Sequence, residues 1–128
     1  MLLREKPLDN IVMITDSLRP TKQRSGDKTA NGIPCVIGPE GSFVSIEDPT
    51  LFLGSALTML QGFRNVVEWE IPIQQASQMS STNPARIYSF AKQGMLVPGY
   101  KADIVILDQN LQMKGLFIDG ELIRDRFA

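Results

Sequence analysis

The sequence predicts an α/β fold whose sheet its own strands do not complete. Three observations carry that expectation. Ile11-Val12-Met13-Ile14 is a run of four apolar residues without alternation, the pattern of a strand covered on both faces. From Gly54 to Trp69, residues Ala56, Met59, Leu60, Phe63, Val66 and Val67 recur at spacings of three and four, the wide apolar stripe of a helix. The last third turns strand-rich, yet no βαβ unit supplies a parallel neighbour for the first strand. A buried strand needs both edges paired, so the chain is expected to be a piece of a larger fold or to complete its sheet with another polypeptide.

The elements follow in order. The strand over 10–16 ends at Thr15-Asp16, and residues 19–31 form a polar loop with Pro20, Gly26, Lys22, Arg24, Asp27 and Lys28. A hairpin joins Ile33–Ile37 to Ser42–Ile46 through Gly38-Pro39-Glu40-Gly41, with Pro34 expected on a sheet edge because it lacks a donor. After the linker at 47–50, Ser55 is a candidate cap for the helix from Gly54, and Gly62 inside that helix suggests close packing. A second helix is expected over 72–79. A third is expected with Asn83 as its cap and Pro84 in its first turn, ending before Gly94. Lys101–Leu107 reads as a buried strand, and 113–118 and 121–123 as a hairpin around Asp119-Gly120.

Composition narrows the function. With 43% hydrophobic and 21% charged residues, 128 residues make one ordinary globular domain rather than a disordered chain. Thirteen basic against fourteen acidic residues give a formal charge of −1, so no global charge recruits nucleic acid or an anionic membrane. No apolar run reaches the length of about 20 residues that spans a bilayer, and the N-terminus lacks a signal-peptide core. The single cysteine, Cys35, excludes an internal disulfide and fits a reducing, cytoplasmic setting; it reads as a small hydrophobe. The absence of histidine decides most: neither a free-standing zinc hydrolase nor a Ser-His-Asp enzyme is available to this chain.

Four stretches carry a family resemblance: Met13-Ile14-Thr15-Asp16; Gly54-Ser55-Ala56-Leu57-Thr58-Met59 with Arg64-Asn65-Val66-Val67-Glu68; Ser81-Thr82-Asn83-Pro84-Ala85; and Gly94 to Asp103. In this order they resemble the C-terminal third of the N-acetylglucosamine-6-phosphate deacetylases, within the metal-dependent amidohydrolase superfamily. The last two stretches support only the superfamily. The resemblance implies the C-terminal fragment of a TIM barrel, its last strand plus closing helices, with strands of a small β-sandwich domain. Residues 1–95 would be the barrel part, including a β-hairpin insertion, and 96–128 the sandwich part. A complete barrel of this kind takes about 250 residues.

On residue pattern alone, Asp16 is an aspartate of a turn after a strand. The resemblance instead makes it the catalytic carboxylate, at the end of a barrel strand where such enzymes keep their sites. It would take a proton from the attacking water and deliver it to the departing amine as the acetamide of N-acetylglucosamine 6-phosphate is hydrolysed. Phe52-Leu53-Gly54 matches the family's substrate-lining segment, although Phe52-Leu53 is bulkier than usual; on pattern alone it is a loop-to-helix entry. The implied cofactor is a divalent metal, zinc or similar, whose histidine ligands have no counterpart here, so no metal and no turnover are expected of the chain alone. The implied partners are the sugar phosphate and the missing N-terminal barrel polypeptide. Two rival expectations stand beside this one: a non-catalytic, homo-oligomerising remnant, and a piece of another amidohydrolase such as a dihydroorotase-like enzyme. Lys22, Arg24 and Lys28 could approach a phosphate, but read better as a solvated charge run.

Overall fold

The computed structural model describes residues 2–23 and 28–123, so Arg24, Gly26 and Asp27 of the charged loop lie outside the described residues. The chain divides into two compact units. One is Met13–Ile71; the other combines Met1–Val12 with Pro72–Ala128.

Met13–Ile71 holds an antiparallel sheet of β1 (Thr29–Ala30), β2 (Ile33–Ile37), β3 (Ser42–Ser45) and β4 (Phe52–Ser55), in that order. The expected hairpin forms, with Cys35 opposite Ser45, Val36 opposite Val44 and Ile37 opposite Phe43. Its turn closes through the Gly38 N–H donating to the Ser42 carbonyl at 2.8 Å. Pro34 is not on an edge strand, since β2 lies between β1 and β3. Its carbonyl accepts from the Ile46 N–H at 3.1 Å, one residue beyond β3, so the missing donor falls at the end of that ladder rather than within it. Ala30, Cys35 and Phe43 form the buried core, with Leu18, Leu53 and Ala56 packed against them. Cys35 is thus the small core hydrophobe expected.

The helix begins later than its apolar stripe suggests. Phe52–Ser55 is a strand, paired to β3 through Phe43–Gly54 and Val44–Phe52, with Leu53 left over in a bulge. Helix α2 spans Met59–Glu68 and is capped by Thr58, whose hydroxyl accepts from the Gln61 N–H at 3.2 Å. Ser55 instead accepts from the Leu57 N–H at 3.0 Å. Residues 11–16 form no ladder, and Ile14 is 70% exposed. The expected strand therefore has no sheet partner among the described residues. Just beyond it, Ser17 makes an isolated parallel bridge to Ser55.

The second unit begins with α1 (Leu2–Glu5) and a 3-10 turn (Leu8–Asn10). The two expected helices over 72–94 are one helical run: α3 (Ile73–Ser77), a π turn (Gln78–Thr82) and α4 (Asn83–Ile87). Asn83 is not a cap. Its backbone is helical and its N–H donates to the Gln78 carbonyl five residues back. Widening the helix there accommodates Pro84, which has no N–H and would crowd the carbonyl four residues earlier in a regular α-helix. The unit ends in an antiparallel sheet of β5 (Ile104–Leu107), β6 (Met113–Ile118) and β7 (Glu121–Leu122). Asp119 (φ 50°) and Gly120 (φ 84°) make the expected two-residue turn, and Asp103 accepts the Asp119 N–H at 2.8 Å. The strand expected to be buried is open, with Val105 53% and Ile106 44% exposed.

Among the described residues seven hydrophobic residues are buried, while nineteen large ones are exposed, including Phe52, Trp69, Tyr88, Phe90 and Leu96. That inversion is unusual for a self-sufficient domain of this length. Among the methionines, Met79 is buried but Met59 and Met95 are exposed.

Candidate functional site

Asp16 follows the unladdered residues 11–15 and turns the chain into the left-handed region, at φ 49°. Aspartate tolerates that conformation better than most residues. Its side chain is exposed and makes no hydrogen bond or ion pair with the described residues. Immediately after it the chain is tied to β4. Ser17 bridges Ser55, the Ser17 hydroxyl donates to the Leu57 carbonyl, and the Leu18 N–H donates to the Ser55 carbonyl at 2.9 Å.

The structure thus brings the Asp16 turn and the Phe52–Ser55 segment side by side as parallel backbones. The three candidate binding residues then diverge. Phe52 is 64% exposed on the edge strand. Leu53 packs on the core of Ala30, Cys35 and Phe43. Gly54, at φ 150°, is covered on one face by Leu18: a methyl group placed there would lie 2.7 Å from Leu18 Cδ1. Ser17 and Leu18 were not legible as site residues, since their contacts lie some forty residues away in sequence.

A shallow hollow of about 700 Å³ opens beside the start of α2, lined by Lys22, Lys28, Thr58, Gln61 and Asn65 among others. Neither Asp16 nor Phe52–Gly54 lines it. Away from these elements, the exposed Asp48 and the half-buried Asp108 have lowered pKa values. The Thr50 hydroxyl chiefly holds Asp48 below the usual carboxylate range, and the Gln112 N–H does the same for Asp108.

The donor set does not fit a catalytic divalent metal. The chain contains no histidine, and among the described residues no three Cys, Asp or Glu side chains come close enough to share an ion. Among those residues, no helix is long and apolar enough to cross a membrane.

The sequence profile described as "Amidohydrolase family" matches residues 8–123. The chain belongs to the amidohydrolase family. The N-acetylglucosamine-6-phosphate deacetylase of Lysinibacillus sphaericus is 32% identical over 112 residues, covering 87% of this chain and 28% of that protein. An adenine deaminase from Methanothrix thermoacetophila is 33% identical over 58 residues, 45% of this chain and 10% of its own length. A mutant N-acetyl-D-glucosamine-6-phosphate deacetylase of Mycobacterium smegmatis, solved in complex with N-acetyl-D-glucosamine-6-phosphate, superposes with a TM-score of 0.73 at 25% identity. That match covers 91% of this amidohydrolase chain and 31% of the solved one. The chain therefore spans under a third of the length of these relatives.

Proposed function

We propose that these residues are the C-terminal third of an N-acetylglucosamine-6-phosphate deacetylase, acting in cytoplasmic amino-sugar breakdown. One observation carries the reading: identity to the Lysinibacillus deacetylase runs across 87% of the chain, whereas likenesses to adenine deaminases cover between 39% and 66%. Residues 1–95 supply the last barrel strand, the inserted hairpin and the closing helices, and 96–128 supply sandwich strands. The remaining barrel, with the divalent metal and the contacts that hold most of the sugar phosphate, comes from polypeptide outside these 128 residues. The unladdered segment 11–16 and the excess of exposed apolar side chains support such a complement.

Within that assembly Asp16 is the proton-transfer group. Water adds to the acetamide carbonyl carbon as the Asp16 carboxylate takes its proton. The same carboxyl then protonates the nitrogen as the C–N bond breaks, leaving acetate and glucosamine 6-phosphate. Phe52, Leu53 and Gly54 border the substrate. Without the complement the chain is inactive.

The test is hydrolysis of N-acetylglucosamine 6-phosphate by the protein combined with polypeptide supplying the remaining barrel strands. Asp16→Asn should lower turnover by about 10² to 10⁴-fold; near-normal turnover would remove Asp16 from the mechanism. A chain that light scattering finds as a discrete homo-oligomer, and that gains no activity from the complement, would favour the non-catalytic assembly module instead. Activity on another amide or amidine, such as a dihydroorotate-like substrate, would keep the family and change the substrate.

A further inference from the structure

Contacts on both sides of Asp16 bear on its left-handed turn. Before it, residues 11–15 have no ladder, and the local tie is the Thr15 hydroxyl, which accepts the Ser17 N–H across Asp16 at 3.3 Å. Behind it, the bridge from Ser17 to Ser55 and the Leu18 N–H on the Ser55 carbonyl fix the backbone to β4. The Leu18 side chain then fills the face of Gly54 that any other residue would occupy, and rests against the core of Ala30, Cys35 and Phe43.

We propose that Leu18 is a positioning residue for Asp16, an inference that rests on Asp16 being the proton-transfer group. Seated on Gly54, Leu18 holds the chain in the course that requires φ near 49° at Asp16, and so fixes the direction in which the carboxylate leaves the backbone. Gly54 accordingly lacks a side chain to receive Leu18. A sugar ligand reaches this segment from another face, through the exposed Phe52. The gain is catalytic because proton transfer depends steeply on placement of the base.

The full 128-residue chain tests this by NMR. A left-handed residue has its amide proton close to its own Hα, so Asp16 should give a strong intraresidue Overhauser contact. Leu18→Ala should weaken that contact at least about threefold, while Leu18→Met, which keeps apolar volume, should retain it. Cross-strand contacts between Cys35 and Ser45 report the fold. An unchanged Asp16 contact in Leu18→Ala, or its loss in Leu18→Met with the sheet intact, overturns the proposal. Should Leu18→Ala lose the sheet, Leu18→Val is read by the same criterion. In the complemented enzyme, Leu18→Ala should lower kcat about tenfold with KM within about twofold, and Leu18→Met should restore it. An unchanged kcat beside an inactive Asp16→Asn overturns the positioning role. An active Asp16→Asn would sink the catalytic reading and its positioning residue with it, while the NMR result would still decide whether Leu18 holds the turn.

Discussion

The side-chain amide of Asn83 donates to the carbonyl of Ile11 at 2.7 Å and to that of Leu8 at 2.8 Å, so one buried nitrogen ties the N-terminal turn to the helical run 72 residues away. Gln78 extends the tie, reaching the Asp9 carboxylate at 2.5 Å and Asn83 Oδ1 at 3.4 Å. Asn83 is 1% exposed, so water cannot readily replace it. Asn83→Ala leaves the Ile11 carbonyl without its donor, while the Leu8 carbonyl keeps the Ile11 N–H at 3.0 Å, and should cost about 1–3 kcal/mol in urea unfolding. Asn83→Asp, of the same shape but without the donor, should do no better. A loss under about 0.5 kcal/mol in either variant would mean that the amide does not hold the turn.

Two glycines that look alike in sequence should respond in opposite ways. At Gly94, with φ 79°, an added methyl would lie 2.6 Å from the Ala85 Cβ and 2.7 Å from the Ser81 carbonyl oxygen. Neither atom is on a flexible side chain, so Gly94→Ala should destabilise by about 2 kcal/mol or more. Gly62 is buried in α2, but its methyl would meet nothing nearer than Leu57 Cδ2 at 3.5 Å, an ordinary contact. Gly62→Ala should therefore stabilise by roughly 0.5–1 kcal/mol. Thermal unfolding of the pair is the check, and a destabilised Gly62→Ala would restore the tight packing that the sequence suggests.

Gly54→Ala should destabilise the sheet by about 1–3 kcal/mol, because its φ of 150° suits only glycine and Leu18 occupies the face of the new methyl. Pairing it with Leu18→Ala removes the clash but not the backbone strain, so the double variant should recover part of the loss. Full additivity of the two single losses would mean that Leu18 and Gly54 do not touch.

What was legible in the sequence is what local chemistry determines. Gly38-Pro39-Glu40-Gly41 and Asp119-Gly120 carry their turn conformations in their own residues, and both hairpins form. Phe52–Ser55 has no such signal, because its strand character comes from β3, eight or more residues back. Asn83-Pro84 has the pattern of a helix start, yet bonds to Leu8 and Ile11 turn Asn83 into a helix-interior clamp and leave a π turn before the proline. The apolar run at 11–14 has strand character without a strand, since a ladder needs partners that the described residues do not include. Asp16 could be nominated from its place after that run, but the anchoring of Ser17 and Leu18 on Ser55 behind it joins segments that no local pattern links.

The turn between β5 and β6 should respond to acid through one carboxylate. Asp108 accepts the N–H of Gln112 at 2.8 Å and of Asn110 at 2.9 Å, and Lys114 approaches it at 3.2 Å. These bonds favour the ionised form, the Gln112 N–H most, so the folded pKa lies below the ordinary value of 3.8. A carboxylate with a depressed folded pKa contributes stability that is fully present above its unfolded pKa and lost as pH falls through the folded value. Asp108→Asn should therefore be less stable than the unaltered chain from neutral pH down to about pH 5, and the gap should close below roughly pH 3.8. Asp48, lowered chiefly by the Thr50 hydroxyl, titrates in the same window, so the comparison with Asp108→Asn isolates the contribution of Asp108. Thermal unfolding as a function of pH reads the gap. A difference that persists unchanged at pH 2 would assign the loss to the altered turn geometry and not to the charge.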